Sequence, residues 1–185
     1  TVSNDGDMPL FLSLGSKLFI ADPEEDTTDF RVITRWSVSG VEISSDDPIW
    51  HGGGKRPGDT HRPGRERKND SVTGQETSVK SGVPVTLTAR VEFFKSAEFV
   101  VIEIPVPSGF AYNDKKGYWP GEVHREFYRD HVAIFIRHAS PGTRTFEISL
   151  MPRFTGRYIL NPAKVSLMYF PVIYSNNELK KITVN

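Results

Sequence analysis

An all-β fold, an antiparallel sandwich, is predicted for this 185-residue chain by three features of its sequence. Apolar and polar residues alternate over short runs, turn-prone residues separate those runs, and helical spacing with capping residues is scarce. Taken in chain order, the alternating or apolar runs are residues 10–14, 30–41, 83–92, 100–104, 132–136, 143–150, 163–168 and 181–184. The clearest is 83–92, where Val83, Val85, Leu87, Ala89 and Val91 alternate with Pro84, Thr86, Thr88, Arg90 and Glu92. A period of two lays one face on a core and leaves the other in water. Turn signals stand between the later runs, at Pro107-Ser108-Gly109, Pro141-Gly142, Thr155-Gly156 and Asn161-Pro162. The best window for one short helix is 113–128, and Pro120-Gly121 interrupts even that.

The length fits a single domain over residues 1–185, at roughly 100–200 residues per domain, with chain enough to bury a core without staples. Lysine plus arginine number 23 and aspartate plus glutamate 23, so no net charge argues for nucleic acid or an anionic membrane. No apolar run approaches the ~20 residues of a membrane-spanning helix. Cysteine is absent, which excludes disulfides, a zinc–thiolate site and a cysteine nucleophile within these residues. The chain opens on Thr1 with no signal segment ahead of it, and is expected to be a piece of something longer.

One stretch stands apart. Residues 44–81 are polar and loop-like, longer than a structureless connection inside a compact domain ordinarily is. Their middle, 51–68, carries Lys55, Arg56, Arg62, Arg65, Arg67 and Lys68 against only Asp59 and Glu66. Two readings are open: a solvated insertion between strands, or a basic patch for phosphate, glycan or another anionic partner. Nucleic acid fits less well, because Trp50 is the only aromatic nearby and stacking platforms need several. Asn69-Asp70-Ser71 matches the N-glycosylation sequon, which is silent unless the host glycosylates.

Catalytic signatures are sparse. His51-Gly52-Gly53-Gly54 is similar to an esterase oxyanion-hole segment, but such an enzyme also needs a G-x-S-x-G elbow, and none exists here. Among the five histidines, His124 and His131 could flank a hairpin turn at Arg129-Asp130, with Glu122 or Asp130 adding a carboxylate. A chance cluster on strand edges accounts for them without metal. The pairs Glu24-Glu25 and Asp46-Asp47 are adjacent in sequence, so on extended chain they point to opposite faces. No phosphate-binding loop, dinucleotide fingerprint or calcium loop occurs. The chain is expected to be no enzyme, with no metal and no cofactor. What remains is an aromatic and apolar run from Leu167 through Met168, Tyr169, Phe170 and Pro171 to Tyr174, where Pro171 stops regular pairing. Alternation carried on from Ala163, Val165 and Leu167 would turn Tyr169 inward and Met168 and Phe170 outward as a contact surface, whereas a twist of the chain there would bring all of them into the core.

Several segments together carry a resemblance. VVIEIPVPSGFAY (residues 100–112) resembles a strand and Pro-x-Gly-Phe turn of the C-terminal macroglobulin-like domain of bacterial alpha-2-macroglobulins. HREFYRDHVAIFI (124–136) is similar to that family's Glu-Phe-Arg-Asp-Asp-Arg strand-turn-strand segment, with Asp130-His131 where the second Asp-Arg stands. SPGTRTFEISLMPRFTGRYILNPAKVSLMYFP (140–171) resembles its closing signature: a Pro-Gly-Thr turn, a strand, a Thr-x-Gly turn, a Pro-Pro-Ala segment read here as Asn161-Pro162-Ala163, then Met-Tyr and a nearby Pro. NDGDMPLFLSL (4–14) resembles the opening strand, and 44–81 is an unmatched insertion.

The resemblance implies a β-sandwich domain from a large protease-trapping inhibitor of the bacterial cell envelope, on its periplasmic side. In such proteins a protease cuts a bait, the body rearranges, and an internal thioester captures the protease. The thioester's Cys-x-Glu-Gln cannot lie here, since cysteine is absent. The implied role is to pack on the thioester domain of the same parent chain, with Met168, Tyr169, Phe170 and Pro171 shielding the bond from water. Target proteases would be met through the whole protein, with neither nucleic acid nor membrane insertion involved. The alternative is an envelope adhesion or ligand-binding sandwich acting through Lys55, Arg56, Arg62, Arg65, Arg67 and Lys68.

Overall fold

A computed structural model describes residues 25–43, 77–115, 122 and 124–185. In chain order these form β1 (Phe30–Val38), β2 (Val41–Glu42), β3 (Thr77–Val79), β4 (Val85–Phe93), β5 (Ala97–Pro105), β6 (Phe110–Asp114), β7 (His124–Phe127), β8 (His131–Ala139), β9 (Gly142–Pro152), β10 (Gly156–Leu160), β11 (Lys164–Leu167), β12 (Tyr174–Asn176) and β13 (Lys180–Val184). Two five-stranded sheets, ordered β2-β1-β4-β9-β6 and β12-β11-β5-β8-β7, carry the sandwich, and β10-β13-β3 makes a third, smaller sheet. One apolar core joins all three. Its inward residues are those that the period of two selects: Val85, Leu87, Ala89, Val91 and Phe93 on β4 against Val100, Ile102 and Ile104 on β5, all buried.

Four expectations change. The expected strand 30–41 breaks at Ser39 and Gly40, whose φ values of 50° and 80° make a two-residue hairpin turn between β1 and β2. Both central residues of such a turn need positive φ, which glycine supplies without strain. No helix occurs among the described residues, and the window 113–128 instead ends β6 and contains β7. Its helix-like spacing has another cause, because Glu122 and Arg125 form an ion pair while the backbone of β7 pairs with β8. Residues 77–79, expected within the polar loop, form β3, and β3 pairs parallel with β13 in an otherwise antiparallel arrangement. Parallel neighbours need a long connection, so no local pattern announces them. Finally, regular pairing on β11 stops at Leu167, one residue short of the expected 163–168. The expected strand 10–14 and residues 44–76 lie outside the described residues.

Buried polar groups hold β11 and β12 against the opposite sheet. The Asn177 side chain accepts from the Ala163 amide at 2.7 Å and donates to Thr34 Oγ1 on β1 at 2.9 Å. Its own amide donates to the Ala163 carbonyl at 3.2 Å. Beside it, Ser175 Oγ accepts the Phe30 amide at 3.0 Å. Buried polar atoms without partners are costly, so these bonds fix where β11 begins and where β12 ends.

The Pro-x-Gly-Phe turn also acquires a physical reason. Gly109 lies under the Tyr158 ring, where an added Cβ would stand 2.2 Å from Cζ. That ring sits edge-on to Phe110, and its hydroxyl donates to the Phe154 carbonyl at 3.0 Å. Gly109→Ala is therefore expected to destabilise the domain by about 1–3 kcal/mol, the usual scale for overpacking. A urea midpoint equal to that of the unsubstituted chain would show that the ring swings aside freely.

Candidate functional site

The Met168–Pro171 residues sit in the connection from β11 to β12. Two consecutive turns build it: the Phe170 amide donates to the Leu167 carbonyl at 3.2 Å, and the Ile173 amide to the Phe170 carbonyl at 2.9 Å. Pro171 occupies the second position of the second turn, where its fixed φ suits the geometry. The Leu167 amide closes the base on the Ile173 carbonyl at 3.1 Å. Leu167 and Ile173 pack against the core, while Met168, Tyr169, Phe170 and Val172 are exposed, Tyr169 by 67% and Val172 by 83%. The strand ends before Tyr169, so the inward orientation that continued alternation would give does not occur. A loop tied down by its backbone thus holds four large apolar side chains in water, the arrangement of a contact surface.

Phe99, on the neighbouring strand β5, completes this surface and was not singled out by sequence reasoning. Its carbonyl accepts the Met168 amide at 2.7 Å, and its half-exposed ring meets Tyr169 edge-on with centroids 5.1 Å apart. Its φ is 52°, a left-handed conformation that costs a bulky residue on the order of 1–3 kcal/mol. A phenylalanine in an apolar run reads as core, but alternation from the inward Val100, Ile102 and Ile104 assigns Phe99 to the outward face, a signal that could have found it. Between the loop and the β4–β5 turn runs a groove of about 380 Å³, floored by Phe30 and Ala97 and walled by Phe99, Tyr169, Phe170 and Ile173. Its rim carries Lys95, 3.4 Å from Asp29, and Glu98, 3.8 Å from His138.

The other sequence-selected groups do not converge on chemistry. His124 lies 3.2 Å from Glu126, and His131 Nδ1 lies 2.9 Å from Asp130. Glu122 is taken by Arg125 in a pair whose side chains are almost wholly buried. Among the described residues no group of three or more potential metal ligands assembles. The residues around the β7–β8 turn instead lock it. Burial, aided by the Asp130 carboxylate, pushes the Tyr112 phenol up to about 12. It therefore remains a donor, reaching the Tyr128 carbonyl at 2.5 Å and that of His131 at 2.9 Å. A hydrogen bond from the Tyr128 hydroxyl holds the Glu126 carboxyl below its usual range, and one from His131 does the same for Asp130. No helix of the described residues is long and apolar enough to cross a membrane. Lys55, Arg56, Arg62, Arg65, Arg67 and Lys68 lie outside the described residues, as do His51, His61 and the sequon.

Known proteins share this fold. The family described as the bacterial alpha-2-macroglobulin MG10 domain matches residues 62–171. The match opens inside 44–81, so the later part of that stretch falls within the family pattern. Salmonella alpha-2-macroglobulin reacted with methylamine is similar in structure, with a TM-score of 0.60 and 12% identity over 88% of this chain and 10% of that one. Escherichia coli alpha-2-macroglobulin is similar in its trypsin-activated form, with a TM-score of 0.59 and 10% identity over 88% of this chain and 11% of that one. The native E. coli protein from domain MG7 to the C-terminus gives a TM-score of 0.59 and 11% identity over 87% of this chain and 24% of that one. This chain thus spans about a tenth of the first of these relatives, and at such identities the likeness concerns the fold. No curated protein sequence matches it. With more than half of its residues inside the MG10 pattern and the same sandwich fold, this chain belongs to the bacterial alpha-2-macroglobulin family as a macroglobulin-like domain.

Proposed function

We propose that this chain is the C-terminal, non-catalytic domain of a protease-trapping inhibitor in the bacterial cell envelope, on its periplasmic side. Its work is to pack on the thioester domain of the same parent chain and keep water from the bond until a protease triggers rearrangement. The observation that carries this reading is the backbone-pinned loop that presents Met168, Tyr169 and Phe170 to solvent. A thioester is an activated acyl group, and its lifetime depends on excluding water. An aromatic ring and a thioether make a compact, adaptable cover, and the Tyr169 phenol can donate to a buried acceptor. That relatives have been studied after methylamine treatment and trypsin activation fits a parent attacked by amines and proteases. The cysteine of the thioester would lie elsewhere in the parent, since this chain has none.

The test is the intact mass of the parent protein before and after exposure to methylamine. A gain equal to one amine is expected, because the amine displaces the thiolate and remains as an amide. An unchanged mass would remove the thioester and with it the guarding role.

A further inference from the structure

We propose that Phe99 is the positioning residue of this loop: it sets Met168 and Tyr169 in their presented arrangement before any partner arrives. The proposal rests on the guarding role of the loop for its functional meaning, and on geometry for the rest. Phe99 is the only non-glycine residue of β5 in the left-handed region among the described residues. The conformation is not there to absorb an extra residue, because the register is the same on both sides of it. Glu98 faces His138 and Val100 faces Ile136 across β8, with Leu167 opposite Val100 on β11. What the left-handed turn changes is direction. Phe99 keeps the outward face that alternation from Val100, Ile102 and Ile104 assigns it, whereas Glu98, which the same alternation would turn inward, is exposed as well. At this left-handed residue the carbonyl accepts the Met168 amide, one residue beyond the last β5–β11 pair, and the outward ring lies against Tyr169. Sterically unfavoured backbone persists where its surroundings over-determine it, and such sites cluster at functional surfaces. A surface ordered in advance loses less freedom on docking.

The experiment compares Phe99→Gly and Phe99→Tyr. Glycine tolerates the same φ but many others too, so it frees the carbonyl and removes the ring, whereas tyrosine keeps both. In this chain, Phe99→Gly is expected to speed amide exchange at Met168 at least tenfold while the core amides of Leu87 and Ile102 exchange as before. Phe99→Tyr should match the unsubstituted chain. In the parent protein, Phe99→Gly should accelerate methylamine capture, and adding it to Tyr169→Ala should give no further gain. Unchanged exchange at Met168 overturns the proposal, and so does a wild-type capture rate in Phe99→Gly when Tyr169→Ala alone is faster. If Tyr169→Ala also leaves capture unchanged, the guarding role falls, and the exchange result by itself decides whether Phe99 positions the loop.

Discussion

Replacing Arg125 by methionine is expected to destabilise this domain by about 3–5 kcal/mol, the scale for removing one partner of a buried ion pair. Both side chains of the Arg125–Glu122 pair are 1% exposed. Arg125 Nε donates to Glu122 Oε2 at 3.1 Å and Nη2 to Oε1 at 2.5 Å, a two-pronged contact, while Nη1 donates to the Glu147 carbonyl on β9 at 3.0 Å. Methionine keeps most of the volume and loses all three bonds, so the Glu122 carboxylate is left buried without its counter-charge. The double replacement Arg125→Met with Glu122→Leu should recover most of the loss, because two apolar groups of similar shape leave no charge behind. Urea unfolding of the four proteins of this cycle measures both effects. A loss below ~1 kcal/mol for Arg125→Met would mean that water reaches Glu122, and the pair would then be a surface contact in energetic terms.

In the whole parent protein, Tyr169→Ala is expected to raise the rate of methylamine capture roughly tenfold, equivalent to about 1.4 kcal/mol. The ring is 67% exposed in this chain and touches Phe99 without entering the core, so its removal should change the stability of the domain by no more than ~0.5 kcal/mol. What disappears is a rigid, amphipathic surface with a hydroxyl at its tip. Phe154 supplies the control: it is 69% exposed, lies at the β9–β10 turn, and its replacement by alanine should leave amine capture unchanged. Equal rates in Tyr169→Ala and the unsubstituted protein would count directly against a guarding role.

The central strands were legible because their chemistry is local. On β4 and β9 the apolar residues recur with the period that a half-buried strand imposes, and the observed burial follows it. The short strands were not legible for the opposite reason. Three-residue β3 and β12 have too few positions to show a period, and β3 owes its existence to β13, more than 100 residues away. β7 misled the periodicity because its inward Arg125 answers a charge rather than the apolar core.

The same division runs through the candidate site. Sequence alone determined that an aromatic and thioether run meets a proline after a strand, which made Met168, Tyr169, Phe170 and Pro171 the candidates. It also determined the all-β class and, through the order of its turn motifs, the family. Tertiary structure decided that β11 stops at Leu167, so that Tyr169 faces solvent instead of the core. It decided too that Phe99 joins the site, through its carbonyl's bond to the Met168 amide and its ring's contact with Tyr169, at a left-handed backbone angle. Residue type and periodicity are written along the chain, but the end of a strand and the sign of a φ angle are set by hydrogen-bond partners distant in sequence, and only packing brings those partners together.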